Sequence, residues 1–217
     1  MLVCGVDEAG RGPVFGPMVI GCVVLDDAGR EELRRLNVKD SKKLSAERRG
    51  DLEPEIKKAA VEWSLARISA SEIDRMRMRM SLNDVEATKI ADLICALTKR
   101  PGRVIVDAAD PVADNFRKRI DRFLSEKNRL IPEILSEHRA DDRYIEVSAA
   151  SVLAKVARDR EIEELRRLHG DIGSGYPSDE VTQRFLRKLS AEGELPDYVR
   201  RSWSTVGRSS QTTLGEY

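Results

Sequence analysis

Acidic side chains in this sequence recur where carboxylates could share a divalent cation. Asp7 and Glu8 close the apolar run that begins at Leu2, Asp107 closes the run that begins at Arg103, and Asp141-Asp142 stand just before a long stretch of helical periodicity. In open α/β sheets ligands gather beyond the carboxyl ends of strands, so Asp7 and Asp107 converge if their strands are neighbours. Buried carboxylates repel one another unless a cation or a shared proton compensates. An oxygen-only set with no nearby His or Cys suits Mg²⁺ or Mn²⁺ over zinc. Such a site fits phosphoryl transfer, in which one ion activates a water and another stabilises the leaving oxygen. With 38 Asp and Glu in the chain, helix caps and solvated turns also account for these acids. Asp110, in a turn, and Asp142, which duplicates its neighbour, are the weakest members of the set.

Gly10-Arg11-Gly12 adds a second kind of chemistry. Glycines on either side of one arginine expose backbone N–H and C=O groups and let a ligand approach closely. The segment is no Walker loop, because no Gly-Lys-Ser/Thr follows, and it leads into a strand where a dinucleotide fingerprint would lead into a helix. A tight turn with a solvated arginine is the alternative. Lys39, Lys42 and Lys43 around Ser41, and Arg200, Arg201 and Arg208 near the C-terminus, are either phosphate contacts or solvated faces. Tyr176, on the rigid turn Gly173-Ser174-Gly175-Tyr176-Pro177, is either packed or a platform for one sugar or base. Arg75 to Met80 alternates Arg and Met with period two, which suggests an extended segment covering the core with its methionines or, alternatively, a phosphate-facing arginine edge. His138 and His169 read as surface or helix-end residues.

These groups need elements to position them. Residues 2–7 and 17–25 read as strands joined by a short loop, hence antiparallel neighbours. Residues 30–58 suggest short helices around a loop at 38–44, with Ser45 as a cap and Gly50 and Pro54 as interruptions. Residues 59–68 favour a third strand. Asn83 to Glu86 has capping-box spacing ahead of a helix ending at Pro101-Gly102, and 103–107 is a further strand. A helix is expected over 112–127 with Phe116, Ile120 and Phe123 on one side, then a strand over 130–135. The strongest helical pattern is 148–169, with Val152, Val156, Ile162, Leu165 and Leu168 as its apolar side. A smaller helix starts near Asp179 with Val181, Phe185 and Leu189.

The chain has 217 residues, 41% apolar and 35% charged, long enough to bury a core, with roughly 70% of its unfolded surface becoming inaccessible on folding. Thirty-eight Lys and Arg balance thirty-eight Asp and Glu, which excludes a strongly basic DNA coat and leaves room for a local nucleic-acid patch. Aromatic residues at 5% argue against a single-strand stacking platform. Three dispersed cysteines, with no C-x-x-C pair, read as buried small hydrophobes in a reducing compartment. No apolar run is long enough to span a membrane and no leader pattern opens the chain, so a soluble cytoplasmic protein without membrane contact is expected.

Taken together, Asp7-Glu8-Ala9-Gly10-Arg11-Gly12-Pro13, Asp40-Ser41-Lys42-Lys43-Leu44, Asp107, Ala140-Asp141, Ser148-Ala149-Ala150-Ser151 with Ala154-Lys155-Val156, and Gly173-Ser174-Gly175-Tyr176-Pro177 resemble the type 2 ribonuclease H family (ribonuclease HII), in its archaeal branch. The resemblance implies an α/β, ribonuclease-H-like fold: a five-stranded mixed sheet flanked by helices, with a small C-terminal helical domain. It divides the chain into a catalytic domain over 1–175, a helical substrate-binding appendage over 176–205 and a tail over 206–217.

It also implies endonucleolytic hydrolysis of the RNA strand of RNA–DNA hybrids, and cutting on the 5′ side of a ribonucleotide embedded in duplex DNA. Two Mg²⁺ or Mn²⁺ ions held by Asp7, Glu8, Asp107 and Asp141 would leave 3′-hydroxyl and 5′-phosphate ends. Asp141 is preferred to Asp142 because it follows Arg139-Ala140, which occupies the family's Lys-Ala position; arginine keeps the charge without lysine's geometry. The implied substrate contacts are Gly10, Arg11, Gly12 and Tyr176 at the ribose, with Lys42 and Lys43 at phosphates. Gln211, Leu214 and Tyr217 form a Q-x-x-L-x-x-Y pattern similar to C-terminal clamp-binding peptides, which implies a sliding-clamp partner for an otherwise monomeric enzyme. Two rivals stand beside this reading: a DNA nuclease of the same superfold, and a duplex-binding module with a regulatory metal.

Overall fold

The computed structural model describes residues 1–38, 44–127, 132–193 and 195–206. Each strand follows from an apolar run: β1 (Val3–Ala9), β2 (Met18–Leu25), β3 (Glu62–Ile68), β4 (Arg103–Asp107) and β5 (Glu133–Glu137). Between and after them come α1 (Asp27–Arg35), α2 (Ala46–Ala59), α3 (Ala70–Arg77), α4 (Leu82–Ala96), α5 (Ala113–Glu126), a 3-10 turn (Ala140–Asp142), α6 (Ile145–His169) and α7 (Glu180–Ala191). The strands form one mixed sheet in the order β3-β2-β1-β4-β5. β1 runs antiparallel to β2 and parallel to β4, and β4 runs parallel to β5.

The central strands are apolar on both faces because both faces are covered. Every residue of β2 is buried. On one face, Val23 and Leu25 share a core with Leu52, Ile56, Ala149 and Val152, while Val3 and Ile105 pack with Val147. The N-terminal half of α6 lies so close here that a methyl group at Gly5 would come within 2.1 Å of the Glu146 carbonyl carbon. On the other face Cys4, Val6, Val24, Val104 and Val106 are equally buried. There α4 packs on α5, and α5 on β5.

The chain divides into two compact units. One comprises Met1–Ala9, Val19–Ala66 and Ser81–Ala157; the other comprises Gly10–Met18, Arg67–Met80 and Arg158–Tyr217. The boundary drawn from chain order at residues 175 and 176 therefore differs from the division by compactness, which assembles the second unit from three separated stretches. That unit has its own core, in which Val14, Phe15, Ile162, Leu186 and Val199 are buried together and Phe15 meets Phe185 edge-on at 5.6 Å. No helix among the described residues is long and apolar enough to cross a membrane.

Several local expectations are corrected. β1 runs two residues past Asp7, so Glu8 lies within the strand. Gly50 and Pro54 do not interrupt α2: Ser45 caps it by accepting from Arg48 N, Gly50 has nothing within 4 Å of a would-be side chain, and buried Leu52 and Ile56 offset the missing proline donor. The alternation at Arg75–Met80 is not a strand. Ser69 caps α3 through Glu72 N, buried Ile73 anchors it, and Met78 is left 78% exposed. α4 is capped by Ser81 rather than Asn83, with Ser81 Oγ accepting from Asp84 N, and it ends at Ala96, before Pro101. Leu124 replaces Phe123 on the buried side of α5, and β5 begins only after Pro132. Leu168 faces solvent, and the buried residues of α7 are Thr182, Leu186 and Leu189.

Candidate active site

The acids of the first unit are positioned by strand register. β1 and β4 pair Val3 with Arg103 through Val6 with Val106, so Asp7 and Asp107 follow at the same step along two adjacent parallel strands. Alternation along each strand puts both on the face that carries Gly5 and Ile105, the face covered by α6, and puts Glu8 on the opposite face. Asp7 is 6% exposed. Its Oδ1 accepts from the Glu8 N–H at 2.8 Å, and it also accepts a hydrogen bond from Ser151, one helical turn beyond Val147 on α6. Asp107 Oδ1 accepts from the Ala140 N–H at 2.7 Å, which ties the end of β4 to the 3-10 turn. The chain enters that turn through Arg139, whose φ of 57° is left-handed and uncommon for a side-chain-bearing residue. This bend buries Asp141 to 1% exposure, while Asp142 turns outward to pair with Arg139 at 2.9 Å.

The electrostatics single out Asp7. Burial holds its carboxyl well above the usual carboxylate range, and the charges of Glu8, Asp107 and Asp141 push it further in that direction against the opposing Ser151 hydrogen bond. Glu8, Asp107 and Asp141 thus each act on Asp7. Asp110 belongs elsewhere: Asn83 and Arg119 hydrogen-bond its carboxylate, and these contacts with the Val112 N–H outweigh desolvation to hold it below the ordinary value.

Among the described residues no three His, Cys, Asp or Glu side chains are gathered into a ready-made metal cage. The donors nonetheless fit a hard divalent cation by their chemistry. They are all carboxylates, and the central one is buried where its negative charge is least favourable, so a cation would relieve it.

The glycine loop and the tyrosine lie in the second unit. Gly10 has φ of 80°, and a methyl group on Gly12 would meet Tyr176 Cε1 at 3.1 Å. The Val14 N–H donates to Gly175 O at 2.7 Å, joining the two loops. The tyrosine turn is itself held from below: Gly175 N–H donates to Thr182 Oγ1, Ser174 N–H donates to Asp179, and Arg158 donates to Ser174 O. Tyr176 keeps 45% of its surface exposed with the Arg158 guanidinium 5.9 Å from its ring. An exposed ring on a braced turn can receive a sugar or base.

The structure therefore groups Asp7, Glu8, Asp107 and Asp141 in one unit, and Gly10, Arg11, Gly12 and Tyr176 in the other. Lys42, Lys43, Gln211, Leu214 and Tyr217 lie outside the described residues, as does Arg208. Ser151, Arg158 and Trp203 have contacts that the sequence reading did not assign. Ser151 had a signal: it is a polar residue on the side of α6 that carries Val147 and Ala154. Arg200 had none, because a buried arginine looks like a surface one in sequence; it is 0% exposed and no part of a phosphate-facing patch.

The family model described as Ribonuclease HII matches residues 4–206. A ribonuclease HII from Thermococcus sibiricus is 44% identical over 207 residues, spanning 95% of this chain and 90% of the relative. The crystal structure of the ribonuclease H2 from Pyrococcus horikoshii superposes over the whole of both chains with a TM-score of 0.91 and 39% identity. A chain of the PCNA:RNase HII complex from Archaeoglobus fulgidus superposes with a TM-score of 0.83 and 36% identity, covering 94% of this chain and 96% of that one.

Proposed function

The chain belongs to the ribonuclease HII family and is a hydrolytic ribonuclease of the ribonuclease H type, and from that premise we propose that it cuts on the 5′ side of ribonucleotides, in RNA–DNA hybrids and singly in duplex DNA, leaving 3′-hydroxyl and 5′-phosphate ends. The observation that carries this reading is the convergence of Asp7 and Asp107 at matching positions on adjacent parallel strands, with Asp141 held nearby through the bond from Ala140 N–H to Asp107.

Enzymes of this family are metal-dependent. Asp7, Glu8, Asp107 and Asp141 would hold two Mg²⁺ or Mn²⁺ ions, which when bound supply charge neutralisation at the scissile phosphate and a water of lowered pKa. The chain's own groups prepare that site. The Ser151 hydrogen bond orients the Asp7 carboxylate, and the Ala140 N–H fixes one oxygen of Asp107. The backbone of Gly10-Arg11-Gly12 recognises the ribose 2′-hydroxyl, the group that distinguishes RNA from DNA, and Tyr176 stacks on the neighbouring sugar. Lys42 and Lys43 contact phosphates. The helical segment over 176–205 serves substrate binding. The enzyme acts as a cytoplasmic monomer, and its tail over 206–217 engages a PCNA-type clamp through Gln211, Leu214 and Tyr217. The existence of a PCNA:RNase HII complex from Archaeoglobus fulgidus supports that partner.

The test compares an RNA–DNA hybrid, a duplex with one ribonucleotide and an all-DNA duplex, with and without Mg²⁺, and maps products at nucleotide resolution. The first two should be cut with 3′-hydroxyl and 5′-phosphate ends. A 2′,3′-cyclic phosphate would mean that the ribose hydroxyl was the nucleophile, and cutting of all-DNA duplex would favour the DNA-nuclease rival.

A further inference from the structure

Among the described residues Arg200 is the largest fully buried side chain, at 0% exposure. Its guanidinium reaches across 190 residues of sequence into the glycine loop. Nη2 donates to Gly10 O at 2.6 Å, Nη1 to Arg11 O at 2.9 Å and Nε to Gly16 O at 3.0 Å. Trp203 lies over it, 4.8 Å from guanidinium to ring, and its Nε1–H donates to Gly12 O at 3.1 Å. The backbone of Arg200 is fixed in turn, because its N–H donates to Val14 O and the neighbouring Val199 bridges to Phe15.

The consequence follows from peptide geometry. A trans peptide unit is planar, with its C=O and the following N–H pointing in opposite directions. Drawing Gly10 O and Arg11 O inward onto one buried fork therefore aims the N–H groups of Arg11 and Gly12 away from it. A positive charge behind the carbonyls also polarises both peptide units and makes those N–H groups stronger donors. An arginine is suited to this task because its planar fork reaches three acceptors at once; a lysine's ammonium cannot reproduce that geometry.

We propose that Arg200, together with Trp203, is a positioning residue for sugar discrimination: it holds the Gly10-Arg11-Gly12 carbonyls inward so that the Arg11 and Gly12 N–H groups present to the ribose 2′-hydroxyl. This inference rests on the reading of that loop as the ribose-recognition element.

The experiment measures the equilibrium affinity of the full chain for a duplex with one ribonucleotide and for the all-DNA duplex of the same sequence, with Ca²⁺ as the divalent cation. Wild type, Arg200→Lys and Trp203→Phe are compared, with melting temperatures recorded for each. Arg200→Lys should reduce the ribo-to-deoxy affinity ratio by about tenfold, and Trp203→Phe by about threefold, while affinity for all-DNA duplex stays unchanged. Trp203→Phe keeps the ring over the guanidinium and removes a single donor, so it carries the test if Arg200→Lys does not fold. A ratio equal to that of wild type in a folded variant overturns the proposal, and so does parallel weakening toward both duplexes. A wild-type ratio of one would instead overturn the ribose-recognition reading beneath it.

Discussion

Asp7 and Asp107 stand at the same step of two adjacent parallel strands, each one residue beyond the Val6 to Val106 pair, although they are a hundred residues apart in sequence. Each is also held by one backbone N–H, from Glu8 and from Ala140, so neither carboxylate is free to swing away from the position its strand gives it. That arrangement makes two like charges neighbours on purpose-built supports, and it sets the first expectation.

Asp7→Asn and Asp107→Asn should each lower turnover in saturating Mg²⁺ by at least about a hundredfold, since even residues that only support metal ligands are worth ten- to a hundredfold. Stability should move the other way. With metal chelated, Asp7→Asn should melt no lower than wild type, because it removes charge repulsion among acids; added Mg²⁺ should raise the melting temperature of wild type more than that of the variant. Equal metal-induced shifts in the two proteins would remove Asp7 from the ligand set.

Asp141 and Asp142 are separated by burial. Asp141 is 1% exposed and Asp142 is paired with Arg139, so Asp142→Asn should keep most activity while Asp141→Asn loses most of it. Single-turnover rates at saturating Mg²⁺ check the ranking, and the reverse order would assign the fourth ligand to Asp142.

Tyr176→Ala should weaken cleavage at a single embedded ribonucleotide with little change in melting temperature. The ring is 45% exposed and the turn beneath it is held by Thr182, Asp179 and Arg158 rather than by the phenol. Rates and melting curves on the same preparation separate the two roles: a large fall in melting temperature with proportional losses on every substrate would make Tyr176 a packing residue.

Asp179 gives the tyrosine turn a pH dependence. Its carboxylate accepts from the Ser174 and Val181 N–H groups and so caps α7, and the Ser174 bonds, aided by Val181, hold it far below the usual carboxylate range. Because the folded value is depressed, the stability it contributes is fully present above the unfolded value of about 3.9 and is lost as pH falls through the folded one. Asp179→Ala should therefore melt lower than wild type at pH 7, with the gap closing as the pH drops below about 3.9. A gap that stays constant between pH 7 and pH 3 would contradict the assignment.

The segment 211–217 should be dispensable for chemistry. Its deletion is expected to leave cleavage of a short duplex unchanged and to abolish binding of the cognate clamp in calorimetry, since the proposed clamp contacts are the apolar side chains of Leu214 and Tyr217. Undiminished clamp binding would sink the tail assignment, and lost cleavage would place the segment within the fold.

The sequence by itself determined the strands, the acids at their ends and the glycine loop. These are written in short windows: apolar runs, breaker residues and a motif whose residues are contiguous or nearly so. It also determined the helix over 145–169 to within three residues at its start, because that periodicity is long. Tertiary structure decided what depends on distant partners. The parallel pairing of β1 with β4 makes Asp7 and Asp107 neighbours, and no local signal encodes it. The left-handed turn at Arg139, which separates Asp141 from Asp142, follows from the bond between Ala140 and Asp107, 33 residues apart. The period-two pattern at Arg75–Met80 misleads because a serine cap and one buried isoleucine outweigh alternation. Arg200 is the clearest case: a guanidinium is soluble by default, and its burial depends on partners distant in the chain, among them three carbonyls turned toward one point 184 to 190 residues earlier.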